Sequence, residues 1–385
     1  MIYLDNAATT RPKPPEVARA VADAIENFGG VGRGAHEAAL DAGYTVYRAR
    51  DAVARLLGAP SADRVAFSAN VTEALNIAIV GLLGANDHAV TTAASHNSVL
   101  RPLYRKHDAC GMGLSIVGVA SDGTLDLNEF EAAFQPNTRA AVITHASNLT
   151  GTLYDVAEMA RICHAHGALC IVDAAQTAGS VPIDMTAAGI DIVCFTGHKG
   201  LYGPQGTGGL AVAEGIEIAP FKVGGTGIHS YDRTHPTTMP DSLEAGTLNA
   251  HGIAGLAAGI AFIEEQGGAS AIGARTHALA TACRAQLADI AGVTLYGRAE
   301  DAPHSSIVAF NVGELDSAEV ADVLANEFGI ATRAGAHCAP LMHRALGTSE
   351  RGAVRASFGY FNTEQDAAAL AAAVADIAHS AATEG

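Results

Sequence analysis

The sequence predicts an α/β protein. A large domain built on a mostly parallel central sheet is followed by a smaller α+β domain. Three observations carry this. Short, nearly continuous apolar runs rich in β-branched residues alternate with helical patterns through the middle of the chain, as expected for strands covered on both faces. Between two such runs, Val156, Met159, Ala160 and Cys163 repeat at i, i+3, i+4 and i+7, which marks one apolar helix face. From about Gly255 the pattern changes to long alanine-rich helical stretches.

In chain order, the expected strands are Arg64–Phe67, His88–Thr92, Leu114–Val119, Ala140–His145, Ala168–Asp173 and Asp191–Thr196. The helix at Asp155–Gly167 opens with Asp155 followed by Glu158, a capping-box spacing, and Gly167 suits its C-terminal end. This strand–helix–strand order implies parallel neighbours. Helical stretches at Ile253–Gln266 and Arg275–Ile290 lead into a strand at Ser306–Val312 and a helix at Ala318–Phe328. A loop containing Gly and His follows.

Composition narrows the function. The 385 residues suffice for a large buried core, and 49% hydrophobic against 16% charged, without charge blocks, excludes disorder as the main state. Lys and Arg number 23 and Asp and Glu 40, a net charge of −17. That balance argues against a nucleic-acid partner or an anionic membrane, both of which call for clustered cations. The start, MIYLDNAATT, lacks a basic-then-apolar run, and no segment approaches the ~20 apolar residues of a membrane span. The six cysteines form no C-x-x-C pair, so no metal-ligand set is expected, and the expected compartment is the cytoplasm.

Six segments carry candidate chemistry. Lys199, in Phe195–Gly200 after a buried strand, reads either as a solvated loop lysine or as an amine able to form a Schiff base with a carbonyl cofactor. Asp173 ends another buried strand. It reads as a helix cap or as the carboxylate that keeps a pyridinium nitrogen protonated. The turn into a helix near Thr72 resembles a phosphate site. His96, just past a strand, suits ring stacking or acid–base work. Cys338 sits in a Gly/Pro loop with Arg333 and His337, and positive neighbours stabilise a nucleophilic thiolate. Arg355 could clamp a carboxylate with two parallel hydrogen bonds or form a surface ion pair.

The ordered set resembles the class V aminotransferase family and, within it, the cysteine desulfurases and selenocysteine lyases. The resemblance runs from Tyr3–Thr10 through Thr72–Asn76, Ser147-Asn148, Asp173–Gln176, Gly197-His198-Lys199, Glu244–Thr247 and His337-Cys338 to Arg355–Ser357. The short R-x-G-x-H-C-A-P loop is similar to the group II, SufS-like branch. Ser95 and the Ser-Ala-Asn-Val-Thr turn depart from the family pattern.

The resemblance implies fold type I, pyridoxal 5′-phosphate (PLP) as cofactor and a homodimer. It makes Lys199 the Schiff-base lysine, Asp173 the partner of the pyridinium nitrogen, Gln176 of the ring oxygen, and His96 the stacking ring. Thr72, Thr196 and His198 would bind the phosphate, with Thr247 reaching in from the partner subunit. Asn148 and Arg355 would hold the substrate carboxylate, and Cys338 would carry a persulfide. The implied reaction takes L-cysteine to L-alanine, with a sulfur-acceptor protein as a possible partner. L-selenocysteine cleavage, cysteine or cystine β-elimination, transamination and a non-catalytic sulfur-relay scaffold are the alternatives. The expected large domain is 15–254, and the small domain comprises 1–14 and 255–385 and carries the Cys338 loop.

Overall fold

The computed structural model describes residues 1–32, 34–298 and 304–384. The N-terminal part runs β1 (Ile2–Tyr3), α1 (Pro15–Asn27), α2 (Glu37–Leu57), β2 (Val65–Ser68), α3 (Val71–Leu82), β3 (His88–Thr92), α4 (Asn97–Cys110) and β4 (Gly113–Val117). It continues through α5 (Leu127–Ala132), β5 (Thr138–Thr144), α6 (Val156–Ala165), β6 (Leu169–Asp173), β7 (Ile192–Thr196) and β8 (Gly208–Val212). A long segment without helix or strand leads to α7 (Ala250–Glu265), α8 (Gly268–Ala288), β9 (Val293–Tyr296), β10 (Ile307–Val312) and α9 (Ser317–Asn326). The chain ends with β11 (Ile330–Ala331), α10 (Pro340–Leu346), β12 (Val354–Ser357) and α11 (Glu364–Glu384).

The central sheet has seven strands in the order β2-β8-β7-β6-β5-β3-β4. β4, β3, β5, β6 and β7 are parallel, and β8 runs antiparallel to both β7 and β2. All the expected strands are present, with ends moved by one or two residues. β8 has no counterpart in the sequence reading. It opens with Gly208 and Gly209, which lack the β-branched signature, and it returns from β7 without a crossover helix, so it pairs antiparallel. A Cβ on Gly209 would lie 2.3 Å from the Ala66 carbonyl oxygen, so glycine is what lets the strand enter there.

Helix starts are set by side chains. Asp155 accepts from the Glu158 N–H of α6 at 3.0 Å, as the capping spacing requires. Asn70 caps α3 by accepting from the Glu73 N–H at 3.0 Å. His96 caps α4 through its own ring nitrogen. Asn70 and His96 lie just beyond the carboxyl ends of β2 and β3, so the N-termini of α3 and α4 face one crevice, where open α/β sheets bind ligands.

Apolar faces of α2, α6 and α7 join the central sheet in one large cluster that includes Val46, Val53, Met159, Cys163, Val172, Leu256 and Ile260. A separate cluster joins α8, α9 and α11 to the antiparallel sheet β12-β10-β9 through Leu279, Phe310, Leu324, Val354 and Val374. Leu4 belongs to this second cluster, because β1 pairs in parallel with β11. Among the described residues no helix is long and apolar enough to cross a membrane.

Candidate active site

The ends of β2, β3, β5, β6 and β7 and the loop before α10 enclose a cavity of about 350 Å³. It gathers residues from positions 7 to 355 of the chain. β7 ends at Thr196 and delivers Gly197-His198-Lys199 to its floor. Burial depresses the Lys199 amine to about 8, and Arg355 and Arg333 push the same way against Asp173. The amine is therefore far more often neutral at physiological pH than a solvated lysine, which is what a nucleophilic amine needs. Beside it, burial raises the Asp173 carboxyl, while an Ala175 N–H bond to Oδ1 (3.0 Å) and Lys199 oppose that rise. No helix begins at Asp173 among the described residues, so it is not a helix cap.

His96 lines the same cavity. Its Nδ1 accepts from the Ser98 N–H at 3.0 Å, which leaves the proton of a neutral ring on Nε2. Burial, then Lys199 and nearby arginines, push its pKa down to about 4, so the ring is neutral at physiological pH. Gln176 Nε2 donates to the Ala7 carbonyl at 3.1 Å, and Thr72 Oγ1 lies 2.7 Å from Ser98 Oγ. His198 is pushed to about 4 by burial, Lys199 and Lys13. Lys13 donates to Thr10 Oγ1 and to the His198 carbonyl at 2.5 and 2.7 Å, which ties the N-terminal segment to the Lys199 loop. The sequence offered no signal for that tie beyond proximity to the N-terminal motif.

Cys338 is an exposed thiol that lines the cavity. His337 and Cys338 both adopt positive φ, 48° and 55°, an uncommon backbone for non-glycine residues. The turn is held at three points. Asn148 Nδ2 donates to the His337 carbonyl at 2.7 Å, the Asn97 N–H to the Cys338 carbonyl at 2.9 Å, and His337 Nε2 to the Ala353 carbonyl at 2.9 Å. His337 does not act as the expected cation. Burial and Arg355 push its ring to about 3, so the positive charge on the thiol's cavity comes from Arg333, Arg355 and Lys199.

Arg355, on β12, is 1% exposed. Its Nη1 donates to the Asn148 carbonyl at 2.8 Å and its Nη2 to Asp5 Oδ1 at 2.9 Å. It is a buried site residue, not a surface ion pair. Thr247 alone among the expected site residues lies elsewhere. It lines a neighbouring cavity of about 180 Å³ with Glu73 and Glu244. There Arg50 forks both Nη groups onto Glu244 at 2.6 Å, and the Phe67 N–H donates to the same carboxylate.

Thr196 Oγ1, His198 Nδ1, Asn148 Oδ1 and Arg355 Nε are buried without a hydrogen-bond partner among the described residues, and their residues all line the larger cavity. Buried polar atoms are rarely left unpaired in folded proteins. Two of these orphans lie at the end of β7 near the N-terminus of α3, where an anion is favoured. The others flank the Cys338 turn. A ligand with an anionic group at the α3 end, a carbonyl near Lys199 and a basic ring nitrogen near Asp173 fits this donor set, and PLP has all three.

A family model for class V aminotransferases matches residues 2–370. The chain belongs to the class V aminotransferase family. A cysteine desulfurase from Klebsiella pneumoniae strain 342 is 33% identical over 383 residues, covering 97% of this chain and 92% of its own. The apo structure of a cysteine desulfurase from Thermococcus onnurineus NA1 superposes with a TM-score of 0.91 at 31% identity, over 98% of this chain and 95% of its own. An Escherichia coli cysteine desulfurase in an S-sulfonic acid form gives 0.87 at 30% identity, over 98% and 94%. The α/β architecture with its mostly parallel sheet is that of these enzymes, consistent with fold type I.

Proposed function

We propose that the chain is a PLP-dependent cysteine desulfurase that converts L-cysteine to L-alanine and leaves the sulfur as a persulfide on Cys338. The observation that carries this is an exposed thiol, Cys338, on the same cavity as the Lys199 amine, the Asp173 carboxylate and the Arg355 guanidinium. Transamination has no use for such a thiol, and a scaffold needs none of the four.

In this reading Lys199 and Asp173 hold the cofactor at its carbonyl and its ring nitrogen. Gln176 meets the ring oxygen, His96 stacks on the ring, and Thr72, Thr196 and His198 take the phosphate. Thr247 of a second copy completes that phosphate site, so the working unit is a homodimer. PLP, when bound, supplies an electron sink for charge developing at the substrate α-carbon. Arg355 and Asn148 orient the substrate carboxylate, which places the substrate sulfur towards Cys338. Lys199, whose depressed pKa gives it an appreciable neutral fraction, would move the α-proton. The Cys338 thiolate, with Arg333 beside it, attacks the substrate sulfur. The new sulfur–sulfur bond forms as the Cβ–S bond breaks, and the electron pair left at Cβ takes a proton, giving alanine. The neutral His96 ring is placed to pass that proton.

We also propose a large and a small domain. The β1–β11 pairing and the burial of Leu4 among small-domain side chains support placing 1–14 in the small domain. The expected boundary at 254/255 would cut α7, whose Leu256 and Ile260 pack in the central-sheet cluster, so we place it after Glu265. A basic sulfur-acceptor protein would suit the net charge of −17.

The test is product analysis with L-cysteine on the PLP-loaded wild type and on Cys338→Ser. The wild type should release alanine, and the variant should lose that release by at least about a hundredfold. Pyruvate in place of alanine would mean β-elimination. Alanine from L-selenocysteine alone would mean a lyase.

A further inference from the structure

The two most buried arginine–carboxylate pairs near the site differ in form. Arg50 gives both Nη groups to both oxygens of Glu244, a closed fork with no vacancy for a ligand. Arg355 instead gives a single Nη2 bond to Asp5 Oδ1, at 2.9 Å. Its Nη1 goes to the Asn148 carbonyl, and its Nε has no acceptor among the described residues. A guanidinium carries five N–H donors, so most of this one's capacity is unspent. The residue is nonetheless 1% exposed and lines the cavity together with Lys199 and Arg333, both cationic or partly so. An isolated buried guanidinium among like charges is costly, and Asp5 is its one anionic partner among the described residues.

Asp5 is brought there by the fold. Leu4, its neighbour, is fully buried in the small-domain cluster. Ile2 and Tyr3 pair with Ile330 and Ala331, and Asp5 itself bridges to Ser357, two residues beyond Arg355. The N-terminal strand thus sets a carboxylate at fixed distance from the guanidinium, from 350 residues away in sequence.

We propose that Asp5 is the positioning residue of Arg355. It holds the guanidinium through Nη2 alone, leaving Nε and the second N–H of each Nη unspent, and its charge sets how tightly the site takes a substrate carboxylate. This rests on the reading of Arg355 as the carboxylate site given above. An incoming carboxylate shares the guanidinium with Asp5, so the pair weakens substrate binding from what an unshared arginine would give. That favours release of alanine, which carries the same carboxylate as the substrate.

The experiment titrates PLP-loaded protein with L-alanine and with ethylamine, which is alanine without its carboxylate, and follows the visible absorbance of the cofactor. Neither probe carries sulfur, so the titration is independent of desulfurase turnover. The ratio of the two dissociation constants isolates the carboxylate contribution. Asp5→Asn keeps an acceptor for Nη2 but removes the charge. It should tighten L-alanine by about tenfold and leave ethylamine unchanged. Asp5→Glu keeps the charge and should stay near the wild-type ratio, which separates an electrostatic effect from a folding defect. A ratio equal in wild type and Asp5→Asn, or Asp5→Asn and Asp5→Glu shifting together, overturns the inference. So does a wild type that binds L-alanine no better than ethylamine, because Arg355 then takes no carboxylate. A wild type that discriminates between the probes but releases no alanine from L-cysteine sinks the desulfurase reading and leaves the role of Asp5 standing.

Discussion

At the scale of single residues, the site works by keeping cations and protons in chosen places. Burial leaves His96 neutral, with its proton on Nε2, and depresses Lys199 to about 8. The lysine shift has a sign that can be checked. Only the neutral amine captures a carbonyl, and its population rises with pH until the folded-state value is passed. The rate at which PLP-free protein takes up PLP should therefore climb between about pH 6.5 and 8 and level off above it. A solvated lysine would give a rate still climbing near pH 10, and a profile of that shape would remove Lys199 from its role. The gathering of these residues was legible in the sequence, because Lys199 and His96 follow buried strands and Asp173 ends one, so all three fall at one edge of the sheet. The tie between Asp5 and Arg355 was not legible, because nothing local in either segment points to the other. The neutrality of His337 was also hidden, since it comes mainly from burial and then from Arg355, which lies on β12 rather than in the loop.

At the scale of elements, helix caps shape the cavity and a glycine-led strand completes the sheet behind it. Asn70 both ends the turn after β2 and starts α3, whose N-terminal turn lies beside the proposed phosphate site. Asn70→Ala should cost about 1 kcal/mol in urea unfolding of the PLP-free protein, and Asn70→Asp should restore most of it. β8 depends on glycine for a different reason. A Cβ on Gly209 would meet the Ala66 carbonyl at 2.3 Å and the Phe195 ring at 2.8 Å, both in neighbouring strands. Gly209→Ala should destabilise by about 1–3 kcal/mol, whereas Gly224→Ala, with open space around it, should be within about 0.5 kcal/mol of wild type. Equal stabilities for the two would contradict the close approach of β8 to β2. The parallel strands were legible because burial on both faces writes them as unbroken apolar runs. β8 is buried on both faces too, but it meets that condition by having no side chain at two of its positions.

At the scale of the whole molecule, the site is incomplete within one chain if Thr247 serves a partner, since it lines a different cavity from Lys199. Sedimentation should then give roughly twice 39.1 kDa. Mixing supplies a sharper check. Lys199→Ala chains should be inactive and Thr247→Ala chains impaired, but a mixed dimer would hold one site with both Lys199 and Thr247 intact. Subunit exchange should therefore raise activity above that of either parent, and activity that stays at the mean of the parents would place Thr247 outside the partner's site. The central claim, that sulfur leaves L-cysteine onto one thiol of this chain, is tested most directly by mass spectrometry. PLP-loaded protein is given L-cysteine without reductant, trapped with an alkylating agent and digested. The account predicts one added sulfur atom on the peptide containing Cys338, formed in step with one equivalent of alanine, and no such addition at exposed Cys110. Alanine formed with Cys338 unmodified, or sulfur spread equally over both exposed thiols, would contradict it.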